Sequence, residues 1–249
     1  MNALSENLQK ISNEFLSAVQ EAFGENLNSV ILYGPAARGE TYKDTPYINF
    51  LVVVEDNTPS ELARCSKYMK KWRKQLIVTP LFLDNDYITQ SLDTFPLEFM
   101  DMQSAYHVIS GEDVLKNLSF ERSDVRNHCE RELKGKLIHL RAEYLSVRGD
   151  TKLLIDLINR SLNTFRLLFS GALFLKVTKA PSDTISLLDA ITQEYGLDST
   201  LFKKLNNVAK GVLKIDESEA DKLFDLYVEE LDKLSNSINT MEESGQQDK

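Results

Sequence analysis

Cysteine is scarce: Cys65 and Cys129 are the only two in 249 residues. So few thiols exclude a disulfide framework, and no Cys/His cluster has the spacing of a zinc site. Both are expected to be reduced, packed residues. Histidine is as sparse. His107, His128 and His139 are the only three, no pair has the helix-face spacing of metal ligands, and none sits in a nucleophile-like sequence. Long apolar runs are also missing. The longest, Leu167 to Val177, is broken by Ser170, Gly171 and Lys176, so no membrane span is expected. The opening MNALSENLQKISNEF carries acids and no apolar core, so no signal peptide is expected; the expected location is the cytoplasm. Positive charge is outnumbered, with 29 Lys and Arg against 38 Asp and Glu and a net charge of -9. That balance disfavours nonspecific nucleic-acid binding, because such affinity comes from Lys and Arg on phosphates. The one basic run, Lys67, Lys70, Lys71, Arg73 and Lys74, is expected to be a solvated helix face.

What is present is a change of pattern along the chain. Over residues 4 to 23, Leu4, Leu8, Ile11, Phe15, Val19 and Phe23 recur three or four apart, one face of a helix that Gly24 stops. SVILY (29–33) and YINFLVVV (47–54) are short apolar runs that read as strands. A helix is expected over 60–74, with Leu62, Cys65, Met69 and Trp72 on one side and Trp72 in the core. LIVTPLFL (76–83) reads as a third strand, and its Pro80 places it at an edge or a bulge. Asp84 or Asn85 is placed to cap a short helix. LEFMDM (97–102) and YHVIS (106–110) read as two further strands. After Gly111 only helical periodicity remains, over about 124–148, 151–175, 182–195, 198–209 and 216–239, with Pro181 read as the first turn of one of them. Strands with helices first and helices alone afterwards imply an α/β or α+β unit followed by a helical bundle. The units are expected at 1–115 and 116–240, with 241–249 a disordered tail.

The segment YGPAARGETYKDTPYINFLVVV (33–54) carries the most information. It resembles the signature of the nucleotidyltransferase superfamily, the fold of DNA polymerase β and kanamycin nucleotidyltransferase. In that pattern a strand ends in Gly-Ser, an Ala-Arg-Gly-like helix turn follows, and a loop leads to a second strand opening Ser-Asp-x-Asp. Gly34, Ala37, Arg38 and Gly39 match, as do the apolar residues Leu51 to Val54. Residues 77–113 and the later RELKGKLIHLRAEYL are similar to a bacterial subfamily of nucleotidyltransferase-domain proteins mostly of unknown function. The resemblance covers most of the chain. It implies an α+β fold, a nucleotidyltransferase-type mixed sheet with flanking helices, ahead of an all-α bundle.

The same resemblance implies a chemistry that the residues here supply only in part. Nucleotidyl transfer displaces pyrophosphate at an α-phosphorus between two metal ions, and magnesium wants hard, charged oxygen ligands. An Asp-x-Asp pair serves because alternate residues of a strand share a face. Here the matching positions hold Tyr47 and Asn49, expected to point the same way, and neither carries charge at neutral pH. Glu98 is the candidate third acid, with Asp101 three residues on. Asp44, in the loop before the strand, is the candidate substitute. A unit charge about 4 Å from another contributes about 4 kcal/mol at an effective dielectric near 20, so losing two carboxylates removes several kcal/mol of affinity for a divalent ion. The phosphate side is altered too. The Ser after Gly is replaced by Pro35, which has neither N–H nor hydroxyl, while Ala36, Ala37 and Arg38 still offer backbone amides. Arg38 suits either a phosphate or an ion pair with a local acid such as Glu40.

Three functions compete on this reading. The first is a catalytically impaired nucleotidyltransferase-fold protein that binds a nucleotide, small ligand or protein partner in a regulatory role, without a metal cofactor. Its cleft is expected between the two units, lined by Gly34, Arg38, Tyr47, Asn49 and Glu98. The second is an active Mg-dependent nucleotidyl- or adenylyltransferase using Glu98, Asp101 and Asp44. The third is an interaction protein with an empty cleft whose helical unit supplies a homo-oligomer or complex interface. Tyr33, Tyr42 and Tyr47 offer aromatic faces to a base. Arg122 and His128 have the loose Arg-to-His spacing of the HEPN nucleases, but they stand at the start of the helical unit, whereas that motif lies deeper in the bundle. The first function is the one expected.

Overall fold

Two strands that are apolar on both faces organise the first half of the chain. β1 (Leu27–Tyr33) and β2 (Asn49–Val54) pair antiparallel, with Ile31 opposite Leu51 and Tyr33 opposite Asn49. Alternate residues serve opposite faces. Val30, Leu32, Phe50, Val52 and Val54 enter one core, and Ile31, Leu51 and Val53 enter the other. β3 (Leu81–Leu83) runs parallel to β2, and β4 (Tyr106–Gly111) antiparallel to β1, giving the order β3-β2-β1-β4. The structure, a computed structural model, describes residues 4–40, 47–177, 180–181 and 183–241.

The first face is covered by α1 (Glu6–Phe23), which Ser5 caps by accepting the Leu8 N–H at 3.3 Å. Its Phe15 ring stacks on Phe50 with centroids 3.9 Å apart and lies 4.7 Å from Trp72, which is buried as expected. The stretch expected as one helix over 60–74 is instead α2 (Pro59–Leu62), a 3-10 stretch (Ala63–Tyr68) and α3 (Met69–Lys74). Next to it Leu76 takes a φ of 61°, and its carbonyl accepts the N–H groups of Tyr47 at 2.9 Å and Ile48 at 3.2 Å. That double acceptor fixes where β2 begins. Pro80 immediately precedes β3, an edge strand, the place where a missing donor costs no ladder bond.

The other face is covered by α4 (Asn85–Gln90), α5 (Pro96–Ser104) and the segment around Leu115. Asp84 caps α4 as expected, its carboxylate accepting the Tyr87 N–H at 2.6 Å. α5 corrects the reading of LEFMDM as a strand. Pro96 sits in its first turn, where its fixed φ and absent N–H suit a helix, and Leu97, Phe99 and Met102 are buried. A six-residue apolar window is too short to separate period 2 from period 3.6.

The described residues fall into two compact units, Met1–Phe120 and Glu121–Lys249. The second is helical throughout: α6 (Arg122–Val147), α7 (Thr151–Phe174), α8 (Thr184–Tyr195), α9 (Ser199–Ala209) and α10 (Glu217–Asn239). Asp150, Asp183, Asp198 and Asp216 cap α7 to α10, so acids placed one residue ahead of each helix satisfy its orphan N–H groups. Pro181 therefore lies outside α8, because Asp183 takes the N-cap. The core is aromatic: Tyr227 meets Phe165 and Phe202 edge-on with centroids 6.3 and 6.1 Å away. Tail residues 242–249 lie outside the described residues.

Two glycines give opposite expectations. Gly111 has a φ of 84°, and a Cβ there would fall 1.9 Å from the Asn28 carbonyl oxygen. Gly111→Ala is expected to lose about 3 kcal/mol or more, since backbone must move and a left-handed alanine is strained. Gly135 lies inside α6 with nothing within 4 Å of its virtual Cβ, so Gly135→Ala is expected to gain about 0.5–1 kcal/mol. Urea unfolding followed by circular dichroism checks both signs.

Candidate functional site

The polar groups of the first unit gather where β1 ends and β2 begins. After Tyr33 the chain turns at Gly34, which has a φ of 74° and donates its N–H to the Ala105 carbonyl at 3.1 Å. A Cβ on residue 34 would lie 3.0 Å from Nδ2 of Asn49. Glycine thus makes the turn and leaves room for the Asn49 amide. That amide donates to the Tyr47 carbonyl at 3.2 Å. A carboxylate at position 49 could not make this bond, because it has no proton to give.

Residues 35–39 coil back on themselves. The Arg38 N–H reaches the Gly34 and Pro35 carbonyls at 3.0 and 3.1 Å, Gly39 reaches Ala36 at 3.1 Å, and Glu40 reaches Pro35 at 2.9 Å. The N–H groups of Ala36 and Ala37 have no hydrogen-bond acceptor among the described residues. The coil presents Arg38 inward. Its guanidinium is 7% exposed, with Nε 3.1 Å from Glu40 and Nη1 3.3 Å from Asp101. The local ion pair read as one of two roles for Arg38 is therefore formed, and a second acid joins it. Asp101 also faces Tyr33, whose phenol is pushed up to about 12, first by burial and then by the Asp101 charge.

The other expected site residues fall as follows. Glu98 is in the first turn of α5, one helical turn before Asp101 on a neighbouring position of the surface, and not on a strand. Tyr47 precedes the first bridge of β2, at Ile48, so period-two alternation does not reach it. Its ring packs against the α1-side core, whereas Asn49 meets Gly34. The expected common direction of Tyr47 and Asn49 is thus corrected. Asp44 and Tyr42 lie outside the described residues. Among the described residues no three His, Cys, Asp or Glu side chains converge well enough to hold a metal.

The remaining candidates have structural partners. Arg122 donates to the Leu175 carbonyl, and His128 is 5% exposed with Nδ1 3.4 Å from Arg131. Lys67 and Lys71 pair with Glu21 and Glu14 of α1 at 2.7 and 2.9 Å, while Lys70, Arg73 and Lys74 are exposed. No helix among the described residues is long and apolar enough to cross a membrane.

Arg38→Met is expected to cost about 2 kcal/mol: it removes a cation shared by two carboxylates that are 28% and 24% exposed, a discount on the fully buried case. Tyr33 gives a pH test. Its folded phenol holds the proton beyond the ordinary value of 10.0, to about 12, so the fold binds more protons than the unfolded chain in that window. Stability should therefore fall as pH rises from about 10 to about 12. Tyr33→Phe should flatten that fall, as read from urea midpoints across the same pH range.

No family model matches this chain, and no curated protein does. Among solved structures it is similar to the spectinomycin adenyltransferase AAD(9) from Enterococcus faecialis, in a crystal structure with ATP and spectinomycin. The two share 12% identity over 96% of this chain and 100% of that one, with a TM-score of 0.58. A likeness at this identity speaks for architecture. The four-stranded mixed sheet with its flanking helices, followed by a helical region, is a nucleotidyltransferase-type fold.

Proposed function

We propose that this chain is a nucleotidyltransferase-fold protein that has lost metal-dependent nucleotidyl transfer and keeps its site to bind a nucleotide or small ligand in a regulatory role. The observation that carries this reading is the state of the residues at the metal positions. Asn49 is turned onto the Tyr47 carbonyl, and Asp101 is paired with Arg38. A divalent pair needs several converging, charged oxygens. Tyr47 and Asn49 supply no charge, and the Asp101 charge is offset by a guanidinium. Glu98 is the one acid left at the three positions, and among the described residues, which do not include Asp44, no three such side chains converge on a metal, so those residues do not fit two magnesium ions.

Anion recognition has more support. The coil at 35–39 leaves the amides of Ala36 and Ala37 without an acceptor among the described residues, and successive backbone N–H groups at the start of a turn attract phosphate. AAD(9), with the similar fold, holds ATP. A nucleotide is therefore the ligand class proposed here, bound through backbone amides rather than through a metal bridge.

The test is a thermal-shift titration with ATP, in EDTA and in Mg²⁺, alongside an assay for released pyrophosphate. The expected result is the same upward shift in both buffers, without pyrophosphate. At about 100 times the dissociation constant the ligand should add about 2.7 kcal/mol. A shift that needs Mg²⁺ together with pyrophosphate release would establish the active enzyme instead, and no shift in either buffer would favour the interaction protein. Asn49→Asp sharpens the distinction. It sets a carboxylate against the Tyr47 carbonyl and is expected to cost about 1–2 kcal/mol, part of which Mg²⁺ should restore.

A further inference from the structure

Helix α6 is apolar on two sides. Val125, Cys129, Leu133, Leu137 and Leu140 are buried in the second unit. Ile138 and Leu145 are not: they are 65% and 75% exposed, and Ala142 between them is exposed as well. Spacings of four and three put these three residues in one row. At 3.6 residues per turn that row lies almost opposite the buried one. Gly135 begins the same row, three positions before Ile138, with nothing within 4 Å of where its Cβ would stand. Gly135, Ile138, Ala142 and Leu145 therefore follow one another at three, four and three, the spacing of a coiled-coil seam. Large aliphatic side chains aligned on the surface in this way mark an interaction face.

The order of sizes selects the occupant. Along the seam a small residue alternates with a large one. An antiparallel, two-fold pairing that sets Leu145 over Gly135 of a second copy also sets Ile138 over its Ala142. Each of the four contacts then has one large and one small member, a knob facing a notch. The same surface serves on both copies, and the small residues let the helix axes approach closely. Arg141, Lys134 and Glu143 border the seam and pair with Asp232, Glu130 and Arg160 of the same chain. None of the three meets a second copy as a bare charge, so the desolvation cost of an unpaired ion does not arise for them. The chain's own tail is a poor occupant: EESGQQDK (242–249) holds no aliphatic or aromatic side chain.

We propose that the outer face of α6 is a homodimer interface, in which two copies of the helix pack antiparallel with Leu145 on Gly135 and Ile138 on Ala142. The seam is about 15 Å long, shorter than a standard interface provides. The dimer is therefore weak, with a dissociation constant of about 10–500 µM. It forms without nucleotide and stands or falls separately from the proposed nucleotide site.

Sedimentation velocity on the full chain, in reducing buffer without nucleotide, should show a monomer passing to a dimer between about 5 and about 500 µM. Ile138→Asp and Leu145→Asp should each weaken association at least tenfold. Both side chains are exposed, so helicity by circular dichroism and the urea midpoint should stay unchanged, which separates lost contact from lost fold. Cysteine pairing tests the alignment. Cys65 and Cys129 are buried and do not compete. Gly135→Cys and Leu145→Cys chains, mixed, should be joined to each other by a short bismaleimide. Neither should be joined to its own kind, because like positions lie about 15 Å apart along the antiparallel pair. A monomer throughout the range, a dimer that withstands both aspartates, or like-to-like links in place of the mixed one would each overturn the proposal.

Discussion

Burial of β1 and β2 on both faces is the constraint that places everything else in the first unit. Val30 to Leu32 and Phe50 to Val54 are fully shielded, so neither face of the central strand pair can carry polar chemistry without an unpaired buried group. Polar residues of the pair sit at its two ends: Asn28 and Ser29 at one, where Ser29 is bonded to the Ser110 and Glu112 carbonyls, and Tyr33 and Asn49 at the other. There the chain must reverse within a few residues, and Gly34 supplies both the left-handed turn and the space that the Asn49 amide fills. The coil from Pro35 to Glu40 follows from that turn, and Arg38 is held by it.

The ion pair then sets the electrostatic character of the site. Arg38 draws Glu40 from its own coil and Asp101 from α5. It thereby ties the loop to the helix that covers the second core. It also offsets the negative charge of both carboxylates. Burial keeps the Tyr33 phenol protonated beside Asp101. The Ala36 and Ala37 N–H groups are left without an acceptor among the described residues, while Glu40 and Asp101 share one cation.

Much of this was legible in the residues. Gly34, Arg38 and Gly39 stand out by their resemblance to the nucleotidyltransferase signature, and the apolar runs at 29–33 and 47–54 mark the two central strands. Pro80 signalled an edge and Asp84 a cap. Two of the misreadings share one physical cause: each concerns a short window in which local pattern is ambiguous. LEFMDM fits either period until Phe99 and Met102 are seen packed against Leu51 and Val53 in one core. Tyr47 and Asn49 share a strand face only if both lie within the ladder, and Tyr47 stands just ahead of it.

The sequence by itself determined the change from mixed strands and helices to helices alone, the two apolar central strands and the absence of charge at positions 47 and 49. These are properties of composition and local periodicity, which short stretches of chain carry on their own. Only the tertiary structure decided that Arg38 is committed to Glu40 and Asp101, that the Asn49 amide is turned onto its own strand, and that Tyr47 serves the α1 face. Those outcomes depend on which distant groups meet within hydrogen-bond range, and that is fixed by packing rather than by neighbours along the chain.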